Sequence, residues 1–264
     1  MYGDVVDLRE FYRTPLGRVA SGSIAMALSA MWGDAKGERL AGLGYCVPWL
    51  DRFRPDTERT LALMPAAQGA VEWPMGEASA TVLVHDEQLP LMDQSIDRIL
   101  MVHLLEHSES PLDTLKEAWR VLAPGGKIFI VVPNRRGVWA RFEHTPFGTG
   151  RPFSRSQLSH LLRESLFLPT AWSDALHFPP SRRWVRLGMS SGMERLGRRM
   201  WPIFSGVIMV EATKRLYQGL PARARQSRRV FVPALSPQGA AGATRETSRQ
   251  VLVPPNLPGS RRIA

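Results

Sequence analysis

The run Lys127–Val132 (KIFIVV) is apolar at every position after its lysine, so it cannot be a strand with one wet face. Strands of this kind sit in parallel sheets covered on both sides. Upstream, Asp97–His103 (DRILMVH) reads as a second such strand. Between them, Ser110–Leu122 (SPLDTLKEAWRVL) reads as a helix, with Ser110 as N-cap and Pro111 at its first position. Leu112, Leu115, Trp119 and Leu122 mark its apolar face, and Pro124-Gly125-Gly126 stops it. Strand, helix and strand in this order form a βαβ unit.

The same alternation extends both ways. Glu38–Tyr45, Arg59–Met64 and Ala80–His85 read as further short strands, and Pro48 can open a helix over Pro48–Phe53. Residues 4–13 and 18–32 read as two helices separated by Pro15 and Gly17. Ser154–Glu164 reads as a helix capped by Ser154, and Phe167–His177 and Ile203–Ala212 as a closing antiparallel pair. The expected fold is α/β: a doubly wound, mostly parallel seven-stranded sheet. An N-terminal helical cap (1–36) precedes the main domain (37–218), and a basic tail (219–264), rich in Pro, Gly and Arg, is expected to be disordered. The tail repeats an apolar, Pro-ended segment, RVFVP at 229–233 and QVLVP at 250–254, suited either to docking or to packing on its own domain.

Charge is divided unevenly along the 264 residues. The net charge of +10 splits into −6 over residues 1–134, +7 over 135–211 and +9 over 212–264. A uniformly basic nucleic-acid-binding fold is therefore not indicated; the basic surplus lies outside the first half. The single cysteine excludes an intrachain disulfide framework and a multi-cysteine zinc site. The six histidines lack HxH or HExxH spacing, so no metal is expected. Val19–Trp32 is too short to span a membrane and is preceded by no net positive segment, so a packed helix and a cytoplasmic location are expected.

The stretch from His85 to Arg135 carries the chemistry. In order, it holds Leu89-Pro90, Ser95-Ile96-Asp97, Leu105-Glu106-His107, Glu117 with Arg120-Val121-Leu122, Pro124-Gly125-Gly126 and Pro133-Asn134, with Gly42-Leu43-Gly44 upstream. This set resembles the class I S-adenosylmethionine-dependent methyltransferases of the ubiquinone- and menaquinone-methylating type, over roughly residues 37–170. The resemblance implies a Rossmann-like methyltransferase fold and S-adenosylmethionine as cofactor. It puts Gly42, Gly44 and Tyr45 at the methionine part, Met64 at the ribose, Asp86, Glu87 and Leu89 at the adenine, and His103 and Leu104 at the sheet's switch point. His103, His107 and His144 are the candidate bases, with His107 and His144 carried forward as catalytic candidates. Tyr12, Arg13, Asn134, Arg135 and His144 are candidates for the acceptor side, although the arginines Arg13 and Arg18 also suit a solvated helix face.

Three positions depart from the family pattern. Leu40 replaces an acid before the first glycine, Cys46 replaces the third glycine, and Met64 stands where an acid usually grips the ribose hydroxyls. Losing that carboxylate weakens cofactor binding by about 1–3 kcal/mol. Three readings follow. One is methyl transfer to a small or medium organic acceptor, anionic if the basic second half builds that side. Another is a non-catalytic binding or regulatory protein on the same fold. The third is an enzyme whose tail contacts an acidic partner: a protein, RNA or a membrane surface.

Overall fold

A computed structural model describes residues 3–181 and 205–216. Its strands are β1 (Arg39–Gly44), β2 (Arg59–Pro65), β3 (Thr81–Val84), β4 (Ile96–Val102), β5 (Leu122–Pro133), β6 (Phe167–Ala175) and β7 (Val207–Lys214). They form one seven-stranded sheet in the order β3-β2-β1-β4-β5-β7-β6. The first five strands are parallel, and β7 runs antiparallel to both β5 and β6. The expected fold and closing antiparallel pair are therefore present. The tail and its two repeats lie outside the described residues.

Both faces of the sheet are covered, which is why the middle and carboxyl ends of its central strands are apolar. Leu40, Phe129, Val131 and Met209 face a core shared with α1 (Val5–Arg13), α2 (Pro15–Met31) and the four-residue α3 (Val47–Leu50). Ala41, Leu43, Ile128, Ile130 and Val210 face the opposite core, shared with α4 (Pro111–Val121) and α5 (Arg155–Glu164). Successive residues thus alternate between two apolar layers.

Several local expectations change. The second helix starts at Pro15, not residue 18, because Thr14 caps it by accepting from the Gly17 N–H. Ser110 makes no cap bond; its hydroxyl donates to Asp113 Oδ2 instead. Helix α4 ends at Val121, and Pro124-Gly125-Gly126 forms a bulge between the Ile96–Leu122 and Arg98–Lys127 pairings. Gly126 is required there, since a Cβ would lie 2.8 Å from the Ala123 carbonyl oxygen. Ser154 does cap α5, in a capping box with Gln157.

At the amino end of the sheet, Arg39 of β1 grips Asp97 of β4 through both side-chain oxygens, at 2.8 and 2.9 Å, and its own N–H adds a third bond at 2.9 Å. Arg39 holds the Asp97 carboxyl below its ordinary range. A depressed carboxyl pKa stabilises the fold above the unfolded value and loses that effect as pH falls through the folded one. Asp97→Asn should destabilise the protein by about 1 kcal/mol at pH 7, a drop in Tm of roughly 2–4 °C. Urea unfolding of both proteins should show the gap closing as pH falls below the ordinary aspartate value of 3.8.

Candidate active site

The order β3-β2-β1-β4-β5 reverses direction between β1 and β4, so the carboxyl ends of these two strands define the crevice where open α/β sheets bind ligands. Gly44 ends β1 with φ +86°, and a Cβ on it would lie 2.3 Å from the Val102 carbonyl oxygen. Only glycine fits this pinch. Gly42 lies inside β1, paired with Ala62 and Leu100. Its bare face is taken by Cys46 and Leu50, whose carbons lie 2.8 and 2.9 Å from where a Cβ would be. Cys46 is buried, its Sγ donates to the carbonyls of Leu43 and Leu100, and burial pushes its thiol pKa far up. It is a packing residue.

Just past β4, His103 is buried and has φ +54°, a left-handed conformation unusual for a side chain of this size. Holding such a residue requires about 1–3 kcal/mol from its surroundings. Three contacts supply it. His103 Nδ1 lies 3.1 Å from Glu106 Oε1, its Nε2 lies 2.7 Å from the Tyr12 hydroxyl, and its carbonyl accepts from Gln68 Nε2 at 2.7 Å. Taking Glu106 as the acceptor puts the ring proton on Nδ1 and makes Tyr12 the donor to Nε2. Burial, then Tyr45 and Glu106, raise the Tyr12 phenol well above its ordinary pKa, which keeps it a donor.

Helix α1 brings Tyr12 to this place. Its N-terminal Val5 N–H donates to the Gln68 carbonyl at 2.9 Å, and Gly69 packs on Val5. Tyr12 stacks on Tyr45 with centroids 5.8 Å apart and meets Trp49 edge-on. Two cavities open nearby. One, of about 390 Å³, is lined among others by Arg9, Arg13 and Arg18 with Tyr12, Tyr45 and Glu72. Among the described residues none of these arginines is in an ion pair, and Arg9 Nε is buried without a partner. Burial raises the Tyr45 phenol pKa, and Arg9 and Arg13 oppose that. The other cavity, of about 460 Å³ past β3, is lined by Ala67, His85, Asp86, Glu87, Gln88 and Glu109.

The remaining sequence candidates are spread out. Leu104 is buried beside His103. Met64 is buried, and its sulfur accepts from the Val71 N–H. Leu89 is buried in the α4–α5 core, its N–H donating to Glu117. Asp86 accepts from the Thr114 hydroxyl at 2.9 Å. His107 is buried with neither ring nitrogen hydrogen-bonded, and burial lowers its pKa. His144 is exposed, its Nε2 3.4 Å from the Pro180 carbonyl oxygen. Asn134 is held by the Ser205 carbonyl and lines a different cavity with Arg136 and Arg155, while the Arg135 side chain is exposed. Among the described residues no group of three or more His, Cys, Asp or Glu could hold a metal. Sequence reasoning gave Gln68 and Arg9 no role. Arg9 had a signal, since Arg9, Tyr12 and Arg13 fall on one helix face; Gln68 had none.

A family model described as a methyltransferase domain matches residues 42–130. The matched stretch, from β1 into β5, is thus similar to a methyltransferase domain. Solved structures share its fold. One is an S-adenosylmethionine-dependent methyltransferase from Thermotoga maritima described as a possible histamine N-methyltransferase (19% identity, 80% of this chain and 96% of that one, TM-score 0.53). A second is an S-adenosylmethionine-dependent methyltransferase from Mesorhizobium loti (15%, 74% and 100%, 0.51). A third is geranyl diphosphate C-methyltransferase from Streptomyces coelicolor A3(2), in complex with S-adenosyl-L-homocysteine among other ligands (14%, 74% and 76%, 0.53). No curated protein matches the sequence.

S-Adenosylmethionine is the cofactor of this methyltransferase class, and the crevice fits it only in part. The acid-lined cavity past β3 offers acceptors for amino and hydroxyl groups. Over the β1–β4 ends, however, Tyr12 and Gln68 meet His103 directly. These two side chains stand where open α/β sheets of this topology open their ligand crevice. Gly44→Ala should destabilise the methyltransferase by at least about 1–3 kcal/mol, since a positive φ and a carbonyl contact both oppose it. Urea denaturation checks this, and a stability within error of the parent would refute the close-packed edge.

Proposed function

We propose that this methyltransferase modifies a small organic acceptor bearing a carboxylate or phosphate group, with His103 removing the acceptor's proton. The observation that carries this reading is the Glu106–His103–Tyr12 chain beside a cavity with three arginines. The cofactor supplies an already activated methyl group, so the protein's part is to hold the acceptor and take its proton. Glu106 orients the His103 ring and leaves Nε2 as the basic nitrogen. Arg9, Arg13 and Arg18 outnumber the single lining acid, Glu72, and suit an anionic handle. Tyr12, which lines the cavity and bonds His103, sits between handle and base. His103 is preferred to His107, which has no partner to orient it, and to the exposed His144.

The bridged crevice also favours a second reading, a binding protein on a methyltransferase fold. Turnover separates the two. No described helix is long and apolar enough to cross a membrane. A cytoplasmic location accords with the single cysteine, and the charge of +9 over residues 212–264 suits an acidic partner for the tail.

Transfer of labelled methyl from S-adenosylmethionine to a panel of small hydroxy acids, phosphates and their uncharged esters tests the proposal. His103→Asn should lower kcat by about 10²-fold. Arg9→Gln should raise KM for charged acceptors by about tenfold and leave the esters unaffected. Methyl transfer to esters alone would overturn the anionic handle, and no transfer to any of them would favour the binding-protein reading.

A further inference from the structure

We infer that α1 is an autoinhibitory latch, holding the cofactor crevice shut through Tyr12 and Gln68 until S-adenosylmethionine displaces them. The inference rests on the cofactor reading above and adds its regulation.

The contacts are placed as a latch would place them. Gln68 follows β2 and reaches across the end of β1 to the carbonyl that follows β4. Tyr12 comes from α1 and caps the side chain of the same His103. Val5 ties the start of α1 to Gln68, so helix and bridge form one unit. Tyr12 and Gln68 are 7% and 4% exposed, so both are buried at the β1–β4 ends. The cavities on either side of the bridge are open. The inner face of α1 packs into the core through Val5 and Leu8. Its exposed face carries Val6, Asp7, Glu10 and Arg13, and among the described residues it makes no salt bridge.

Closure has two consequences. The nitrogen proposed as the base is occupied by the Tyr12 hydroxyl, so the closed form has neither cofactor space nor a free base. The left-handed His103 is also held by the very bonds that close the crevice, so breaking them frees the residue at the reacting edge. Apparent cofactor affinity is then the intrinsic affinity reduced by the fraction of molecules that are open.

The test is titration calorimetry of the full chain with S-adenosylhomocysteine, on the parent, Tyr12→Phe and Gln68→Ala, with Tm measured alongside. A latch predicts that each variant has a lower Tm in the absence of ligand and binds the ligand more tightly, by about three- to tenfold, because each loses a bond present only in the closed form. If Tyr12 and Gln68 instead touch the cofactor directly, both variants bind it more weakly, and the latch is overturned. Equal affinities in all three proteins overturn it too. Absence of binding to the parent and to the Tyr12→Phe/Gln68→Ala double variant, which remains folded by Tm, overturns the latch and the cofactor reading together. Because the two variants remove different bonds from different segments, misfolding of one leaves the other as the test.

Discussion

Burial of both faces of the sheet is the constraint on which the rest of the structure depends. With α1, α2 and α3 on one side and α4 and α5 on the other, β1, β4 and β5 have no polar face to offer. Polar chemistry is pushed to strand ends. At the amino end this gives the Arg39–Asp97 clasp, and at the carboxyl end it gives His103, Glu106 and Gln68. Buried polar groups at such an edge need partners, because each unpaired one carries a penalty of about 1–3 kcal/mol. His103 has three partners from three segments: α1, the loop after β2, and its own turn. Helix α1, docked on the core through Val5 and Leu8, thus also supplies one of the partners this buried histidine needs.

Much of this was legible in the sequence because short-range patterns encode it. Apolar runs marked the strands, Ser154 marked a helix start, and the ordered motifs from Leu89 to Asn134 carried the resemblance to methyltransferases. The errors have local physical causes. Ser110 looks like an N-cap, but Asp113 three residues on competes for its hydroxyl. Gly42 belongs to a motif expected at the cofactor's methionine part, but its missing Cβ serves packing against Cys46 and Leu50. The crevice was harder to read. Its decisive contacts join residue 12 to 103, at a separation of 91 positions, and residue 68 to 103, at 35. Neither pairing leaves a periodic trace. The departures at Cys46 and Met64 pointed to an altered site, but not to the side chains that fill it.

Charge illustrates the difference between a total and a place. The chain's net charge is +10, yet the half that builds the crevice is acidic at −6. Within that half, three arginines converge on one cavity and leave only Glu72 to balance them. Charges more than about 8–10 Å apart are largely screened from one another at physiological salt. A ligand in the cavity therefore responds to these nearby groups, and neither the tail nor the total determines what it meets. Arg9 and Arg13 lie on the same helix as Tyr12, so an anion held by them would be held to the helix proposed as the latch. In the proposed latch, the factor by which such an anion changes cofactor affinity equals the factor by which the cofactor changes affinity for the anion. In the proposed reading one short helix would link acceptor charge, the base and cofactor entry, through Arg9, Tyr12 and Arg13 on a single face.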